Sequence, residues 1–392
     1  MSDVLYLAWR YIRFNRGKTV VLVASIGLIL FLPAGLQVVA RQGAQALRAR
    51  ADATPLLLGA PGSAVDLTLA ALYFRPPTLE TTPYSEVEEV AASGLAQAIP
   101  LHLRYEARGQ RIVGTTPEYL EFRRLELAAG RRFALLGECV LGAEAARALG
   151  ATVGAHVLSS PAGAFDVAGS FPLEMPVVGV LAPTGTADDE AVLVDLKTAW
   201  VIAGLAHGHQ DVTAPGAESG ILERREDEVV ANASVLSYTR ITPENLDSFH
   251  FHGDPDTFPV DAVVVVPHDR KSGVVLRGRY GEPGAGVQMV VPRAVVDDLV
   301  ATLFSVKNAI LAVSLGLGLA TAATAVLVFV LSIRLRRREL VTMRRIGASR
   351  QRVRAVLATE VLLVVSAAGL LAAGLTLLIS RLGASALGLL GA

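Results

Sequence analysis

Three long apolar runs constrain this chain more than any other feature of its sequence. Residues 19–40, 309–333 and 361–380 approach or exceed the roughly 20 residues that a helix needs to cross a bilayer core. With 52% apolar residues, the chain is too hydrophobic for an ordinary soluble enzyme, and the polar stretch after the first run can hold one or two domains. The sequence therefore predicts a membrane protein, with an α-helical transmembrane bundle of three spans and a large α+β extracytoplasmic domain between spans one and two.

The placement of charge predicts how the spans are oriented. Asp297, Asp298 and Lys307 precede the second run, whereas nine arginines and a single acid follow it between residues 334 and 354. Because short arginine-rich loops stay in the cytoplasm, the second span should enter the cytoplasm at its C-terminal end, which leaves the large domain and the C-terminus outside. A cleaved signal peptide is the alternative for the first run, but its 22 residues exceed the usual signal core of about 7 to 15 residues.

These arguments divide the chain into seven expected parts. They are a cytoplasmic segment (1–18), a first span (19–40), an extracytoplasmic domain (41–307), a second span (308–333), a cytoplasmic basic loop (334–354), a third span (355–380) and an external tail (381–392). Pro33 predicts a kink where the first helix continues outward as a stalk. The zero net charge gives no reason to expect a nucleic-acid partner, and the lone Cys139 excludes an internal disulfide.

Short β-like runs alternate with brief helical patterns across the extracytoplasmic domain. The predicted strands are 111–114, 139–141, 176–181, 191–195, 262–267 and 286–292, and the predicted helices are 85–92, 117–124, 143–149 and 196–203. A polar stretch at 207–227 indicates a loop or a subdomain boundary. A helical stripe after Pro292 predicts one continuous helix from the domain into the second span, and its members are Val295, Val296, Leu299, Val300 and Leu303.

The arginine-dense loop has an internal pattern of its own. Leu340, Met343 and Ile346 recur every three residues, which places them on one side of a short helix. Gly347 suits a helix stop, and Ser349 can cap the helix that follows. The pattern predicts a short amphipathic helix on the cytoplasmic side. The basic side chains have two interpretations that the sequence leaves open, contact with a partner or anchoring to anionic lipid.

The same loop carries a resemblance to a known family. The stretch 336–365 resembles the loop and third-span start of FtsX/MacB-type ABC permeases, the family that includes the lipoprotein-release permeases, and 130–157 is similar to the external domain of that family. The matching positions are Arg338, Glu339, Leu340, Met343, Arg345, Ile346, Gly347, Ala348, Ser349, Arg350, Arg352 and Glu360. One departure concerns the fourth span that the family usually has. After Arg381 only 11 residues remain, which as a helix reach about 16 Å against a core of about 30 Å. We therefore expect a three-span variant or a truncated chain.

The resemblance implies a permease subunit without catalytic activity in the bacterial cytoplasmic (inner) membrane. It implies a homodimer among membrane lipids, driven by a partner ABC ATPase that binds the ATP and Mg²⁺, with no cofactor in this chain. The implied ATPase-coupling residues are Arg338, Glu339, Leu340, Met343, Arg344, Arg345, Gly347, Ala348 and Arg350. Gly17-Lys18-Thr19 mimics the end of a phosphate-binding loop, but Ile12 stands where its first glycine should be, so no nucleotide site is expected.

Other polar groups of the sequence have structural interpretations. Glu360, one turn inside the third span, fits structural pairing with Arg352 and Arg354 better than a transport path. The pairs Asp188-Asp189 and Asp297-Asp298 are typical of solvated surface.

The pairs His207/His209 and His250/His252 allow a Zn²⁺ site, because alternate residues of an extended strand share a face. Solvated loop histidines are the alternative.

Three functions remain compatible with these patterns. The first is a permease subunit that couples ATP hydrolysis to movement of the external domain, for export or extraction of a lipoprotein, peptide or amphiphile. The second is a signalling subunit of the same architecture that activates a periplasmic protein partner. The third, from a different class, is a membrane receptor for a metal or small ligand; it is disfavoured because no cytoplasmic segment exceeds the basic loop.

Overall fold

The computed structural model describes residues 2–161, 172–208, 221–225, 228–231, 238–281 and 286–386. Within these ranges the side chains at 2, 161, 221–225, 228–231, 303–311, 332, 335, 339 and 382–386 are not described. The chain divides into two compact units. The membrane unit contains residues up to Leu47 and from Asp297 onward, and the outer unit contains Arg48–Val296.

The helices of the described residues are, in chain order, α1 (Ser2–Phe14), α2 (Arg16–Asp52), α3 (Ala64–Tyr73), α4 (Ser85–Ala92), α5 (Pro117–Phe122), α6 (Ala143–Leu149), α7 (Leu196–Ile202), α8 (Arg270–Arg279), α9 (Pro292–Leu335), α10 (Arg337–Arg345) and α11 (Arg350–Ala386). The strands are β1 (Leu56–Gly59), β2 (Thr82–Pro83), β3 (Ala96–Ala107), β4 (Gln110–Thr115), β5 (Leu127–Gly130), β6 (Cys139–Leu141), β7 (His156–Leu158), β8 (Ser160–Pro161), β9 (Glu174–Leu181), β10 (Ala191–Asp195), β11 (Ala206–Gly208), β12 (Ile221–Arg225), β13 (Glu228–Ala231), β14 (Phe249–Phe251), β15 (Pro259–Val260), β16 (Ala262–Pro267) and β17 (Gln288–Val290).

Three helices of the described residues are long and apolar enough to cross a membrane. They are Arg16–Asp52, Ala312–Leu331 within α9, and Arg350–Arg381 within α11, with mean hydropathies of 2.4, 2.2 and 2.5. The predicted architecture of three spans, with a large domain between the first and the second, is confirmed. Helix α2 continues through Pro33 to Asp52 as one helix, and α9 runs unbroken from Pro292 to Leu335 as its stripe predicted.

The outer unit is built on one large mixed sheet. Its strand order is β17-β1-β16-β3-β4-β10-β6-β9-β5, with β7 beside β9 and β8 beside β3. Strand β10 is parallel to β4 and antiparallel to β6, and four of its five residues are buried because strands flank it on both sides. Side chains of β9 alternate between buried and half-buried, as a strand with one better-covered face should. The core is therefore centred on β10 and its neighbours.

Most predicted elements of the outer unit are confirmed. Three predicted strands, 139–141, 191–195 and 262–267, coincide with β6, β10 and β16, and the helical patterns at 85–92 and 143–149 coincide with α4 and α6. The interpretation of 207–227 as a loop is wrong at Ile221–Arg225, which is a strand that pairs with Glu228–Ala231. Residues 209–220 and 226–227 of that stretch lie outside the described residues. The strand β3 was missed because Pro100 lies inside it, on a run that a proline normally interrupts.

Candidate functional site

The basic segment folds into a short helix between two long ones. Helix α10 starts after Arg336 and ends at Arg345, where the N–H of Gly347 donates to the Arg344 carbonyl at 3.1 Å and Gly347 adopts a φ of +98°. That φ is strained for a residue with a side chain, which explains the glycine. Ser349 then caps α11, since its Oγ accepts from the Arg352 N–H at 3.3 Å. The predicted amphipathic helix, its stop and the following cap are confirmed.

The predicted coupling residues separate by exposure. The apolar positions Leu340, Met343 and Ala348 are half-buried. The basic positions and the glycine are exposed; they are Arg338, Arg344, Arg345, Gly347 and Arg350. Glu339 lies outside the described side chains. Ile346 was expected on the same side as Leu340, but it is 79% exposed because the helix ends one residue before it.

A buried ion pair fixes the corner where α9 meets α10. The Nη1 of Arg336 lies 3.0 Å from the Oε2 of Glu360, and the two side chains are 11% and 7% exposed. The guanidinium also lies over the ring of Tyr11, 3.2 Å from its centroid. Four helices therefore meet at Arg336. Its backbone joins α9 to α10, and its side chain contacts Tyr11 of α1 and Glu360 of α11. The prediction that Glu360 pairs with Arg352 or Arg354 is wrong, because both face away on exposed positions.

A second buried cluster holds the end of α2 inside the outer unit. Arg50, 7% exposed, donates from Nη1 to Oδ2 of Asp188 at 2.6 Å and from Nη2 to Oδ1 at 3.1 Å. Its Nη2 also donates to the hydroxyl of Tyr119 at 3.1 Å, and that hydroxyl donates to Asp188 at 2.8 Å. The Nε donates to the Leu72 carbonyl, and the guanidinium lies 5.5 Å from the Phe74 ring centroid. We call these residues the Arg50 clasp.

The clasp contradicts the surface interpretation of Asp188 and Asp189, which are 1% and 6% exposed. Burial alone would raise the pKa of Asp188, but the Arg50 charge and the hydrogen bonds that it receives hold that pKa at about 2. Burial and the Asp188 charge raise the pKa of Tyr119 to about 12. Sequence reasoning missed the clasp because its members are far apart in the chain and no spacing rule joins them.

In the segment 130–157, which resembles the external domain of the family, one buried carboxylate contacts several neighbouring residues. Glu138, 6% exposed, accepts from the backbone N–H groups of Ala134 and Leu135 at 2.9 and 3.1 Å and pairs with Arg131. Burial would raise the pKa of Glu138, but these hydrogen bonds lower it overall. Further along, a Cβ on Gly142 would lie 2.2 Å from the Asp188 carbonyl oxygen, so only glycine fits beside the clasp.

Three of the four predicted metal-ligating histidines lie together. The ligand nitrogens of His207, His250 and His252 are all within 4.8 Å of one another, on the short ribbon of β11 and β14. His207 is half-buried, and the other two are exposed. His209 lies outside the described residues.

Comparison with models of protein families shows which family the chain belongs to. A model of the MacB-like periplasmic core domain matches residues 23–233, which is more than half of the chain, and a model of the FtsX-like permease C-terminal region matches residues 310–388. The chain belongs to the FtsX/MacB-type ABC transporter permeases. The resemblance inferred from residues 130–157 and 336–365 is thereby confirmed.

Two solved structures are similar to this permease. The periplasmic region of MacB from Actinobacillus actinomycetemcomitans is 10% identical, with 63% of this chain and 92% of that chain covered and a TM-score of 0.34. The extracellular domain of the ABC-type transporter YknZ from Gram-positive bacteria is 12% identical, with 60% and 99% covered and a TM-score of 0.32. Both likenesses are weak, so the family assignment rests on the sequence models. No curated protein matches the chain.

Membership of the family has direct consequences. The protein is a multi-pass membrane protein with a large external domain, and it is the membrane subunit of an ABC transporter rather than a catalytic subunit. Permeases of this family work with ABC ATPase partners. The basic segment lies within the part of the chain that the FtsX-like model matches, and the Arg50 clasp lies within the part that the MacB-like model matches.

Proposed function

We propose that this permease is a mechanotransmission subunit, which couples ATP hydrolysis by a partner ABC ATPase to movement of its external domain. The movement would serve export or extraction of a lipoprotein, peptide or amphiphile from the bacterial cytoplasmic membrane. In this proposal the working unit is a homodimer with two ATPase subunits, and helix α10 contacts the ATPase.

The observation that carries the proposal is the buried Arg336–Glu360 pair. Arg336 lies between the last residue of α9 and the first residue of α10, so the pair holds the corner itself and not only one helix. Breaking a buried ion pair by removing one partner costs about 3–5 kcal/mol, which makes this corner difficult to bend locally. A push on α10 would therefore displace the end of α9 instead of being absorbed by the corner.

Two features of the helices support transmission over a distance. Helix α9 is continuous from Pro292 in the outer unit to Leu335, and α2 is continuous from Arg16 to Asp52. The last turn of α2 belongs to the outer unit, where the Arg50 clasp holds it. A continuous helix that is fixed by a buried ion pair at its end transmits force with little loss, because its backbone hydrogen bonds leave few soft torsions.

The surface of α10 fits an ATPase contact and also fits anionic lipid. Arg338, Arg344 and Arg345 are exposed, and each basic residue near an anionic membrane contributes about 1 kcal/mol of attraction. Lipid attraction depends on charge at the membrane surface, whereas a protein contact depends on which helix carries the charge. Exposed arginines of α11 provide the comparison that separates these two roles.

The experiment compares two charge reversals of equal size. The test variant is Arg344→Glu with Arg345→Glu on α10, and the matched control is Arg352→Glu with Arg354→Glu on α11, both at exposed positions. Each full-length variant is co-expressed with the cognate ABC ATPase and reconstituted in nanodiscs. We expect the α10 variant to lower permease-stimulated ATP hydrolysis and ATPase co-purification by about tenfold or more, because reversed interface charges cost several kcal/mol. The α11 control should stay close to wild type.

Equal losses in the two variants would mean that the arginines act through lipid, and no loss in either would remove α10 as the coupling element.

A second experiment distinguishes export from signalling by what the reconstituted complex produces. Reconstituted vesicles that hydrolyse ATP and release a labelled amphiphile support export. ATP-dependent activation of an external enzyme without release supports the signalling alternative.

A further inference from the structure

Three histidine side chains share one face of a two-stranded ribbon in the outer unit. Strands β11 and β14 are antiparallel, with His207 directly opposite His250. His252 follows two residues after His250, which returns its side chain to the same face. The ring centroid of His207 lies 5.1 Å from that of His250 and 4.6 Å from that of His252, and the centroids of His250 and His252 are 4.7 Å apart. The three imidazoles therefore form a compact triangle.

The opposite face of the ribbon keeps this triangle turned outward. Ala206 is fully buried, and Phe249 and Phe251 pack against the apolar core, with the Phe251 ring 6.0 Å from that of Phe258. A slip of one residue would exchange the two faces, burying histidines and exposing phenylalanines, so the register is strongly specified. The backbone N–H of His252 also donates to the Leu205 carbonyl at 2.8 Å, which extends the ribbon beyond its strand. The histidines are thus positioned by the fold before any ligand arrives.

One imidazole is already oriented as metal-bound histidines usually are. The Nδ1 of His250 lies 3.1 Å from the carbonyl oxygen of Ser248, and a carbonyl can only accept, so Nδ1 carries the proton. In this tautomer Nε2 is the ring nitrogen that carries the lone pair a metal ion needs. Metal-ligating histidines typically donate their second ring nitrogen to a carbonyl or carboxylate in this way, which fixes the tautomer and the ring orientation.

The distances suit a tetrahedral ion with small side-chain adjustments. Zn–N bonds are about 2.0–2.1 Å, so two nitrogens on one tetrahedral ion are about 3.4 Å apart. The candidate nitrogens lie within 4.8 Å of one another, and rotation of exposed imidazoles about χ1 and χ2 covers the difference. Three neutral imidazoles are a set that Zn²⁺, Cu²⁺ and Ni²⁺ all accept, and hard cations such as Mg²⁺ and Ca²⁺ do not.

We propose that His207, His250 and His252 bind one divalent transition-metal ion of the Zn²⁺ class, with a water molecule at the fourth position. The site lies at the end of β11, where the N–H of Tyr238 donates to the Gly208 carbonyl at 2.9 Å. A bound ion joins the two strands there, and a carboxylate or imidazole from another molecule can replace its water. The site is independent of the proposed ATPase coupling.

The test uses the full-length permease in detergent, purified with an affinity tag that contains no histidine and stripped with a chelator. Titration with ZnCl₂ by calorimetry should give one ion per chain. His207→Ala, His250→Ala and His252→Ala should each weaken Zn²⁺ binding by about tenfold or more, since loss of even an outer-sphere partner costs about 10–100-fold. The matched control is His268→Ala, an exposed histidine outside the triangle, which should bind like wild type.

A second measurement checks the ligand set. Co²⁺ in place of Zn²⁺ should give intense visible absorption of a four-coordinate site in wild type and in His268→Ala, and lose it in the three triangle variants. The proposal is overturned by the absence of saturable Zn²⁺ binding, by binding that survives all three substitutions, or by a Co²⁺ spectrum of six-coordinate form. Apo melting temperatures that match wild type establish that the variants fold.

Discussion

Removing the charge of Asp188 should destabilise the external domain far more than a surface substitution does. The Asp188 carboxylate accepts two hydrogen bonds from Arg50, at 2.6 and 3.1 Å, and one each from Tyr119 and Thr186, both at 2.8 Å. Asp188→Asn preserves the shape but leaves the Arg50 guanidinium, 7% exposed, without a counter-charge. Breaking one side of such a buried pair costs about 3–5 kcal/mol. In a unit of this size about 1 kcal/mol lowers Tm by about 2–4 °C, which gives an expected drop of about 6–20 °C.

Intrinsic tryptophan fluorescence of the full-length permease in detergent measures this drop. The chain has two tryptophans, Trp9 in α1 and Trp200 in the outer unit, so a Trp9→Phe background makes the signal report on the outer unit alone. The matched control is Glu121→Gln, which breaks the exposed pair between Glu121 and Arg132 at 2.9 Å. Exposed pairs contribute up to about 1 kcal/mol, so the control should lower Tm by less than about 4 °C.

The Arg50 clasp also predicts how the stability of the outer unit depends on pH. The pKa of Asp188 is about 2 in the folded protein, against about 3.9 for an unfolded aspartate. Because the folded pKa is the lower one, this contribution is complete above about pH 4 and is lost as pH falls towards 2. The shift corresponds to about 2–3 kcal/mol, and Asp188→Asn should remove that part of the acid dependence. Equal Tm drops for Asp188→Asn and Glu121→Gln, or identical acid dependence in wild type and Asp188→Asn, would refute the reasoning.

Two further predictions concern single buried positions in the outer unit. Gly142→Ala should lower Tm by several degrees, because the new Cβ would lie 2.2 Å from the Asp188 carbonyl oxygen and overpacking costs about 1–3 kcal/mol. Gly278→Ala, in the last turn of α8 with open space at its Cβ, should leave Tm unchanged or raise it. Burial lowers the pKa of His102 despite the nearby Asp261 charge, so the folded domain should lose stability as pH falls below about 6.5. Melting at pH 7.5 and 5.5 checks this: His102→Phe should show a smaller difference than wild type, and an undiminished difference would contradict it.

Much of the architecture was predictable because the relevant signals are local. The apolar runs, the arginine excess after the second run and the Gly347 stop each depend on neighbouring residues, and the predicted spans, helix α10 and most predicted strands were confirmed. The wrong predictions concern buried charges whose partners are distant in sequence. Asp188 was interpreted as surface, because an acidic pair with no basic neighbour in sequence is usually solvated, and Glu360 was paired with the nearest arginines along its own helix.

The cluster of His207, His250 and His252 was predictable only in part. Period-two spacing alone places His250 and His252 on one face of a strand, and the His207/His209 pair has the same spacing. Spacing could not show that β11 and β14 pair with His207 opposite His250. That register depends on which face of the ribbon the core accepts, a property of the assembled domain.

The sequence by itself determined the membrane spans, the position of the external domain, the short basic helix α10 and the family, because hydropathy, charge and capping act over one or two turns of chain. Only the tertiary structure decided the partners of the buried charges. Arg50 is joined to Asp188 and Arg336 to Glu360 across 138 and 24 residues of sequence. A buried charge is stabilised only by a counter-charge within hydrogen-bond distance, and that distance is set by how distant segments pack.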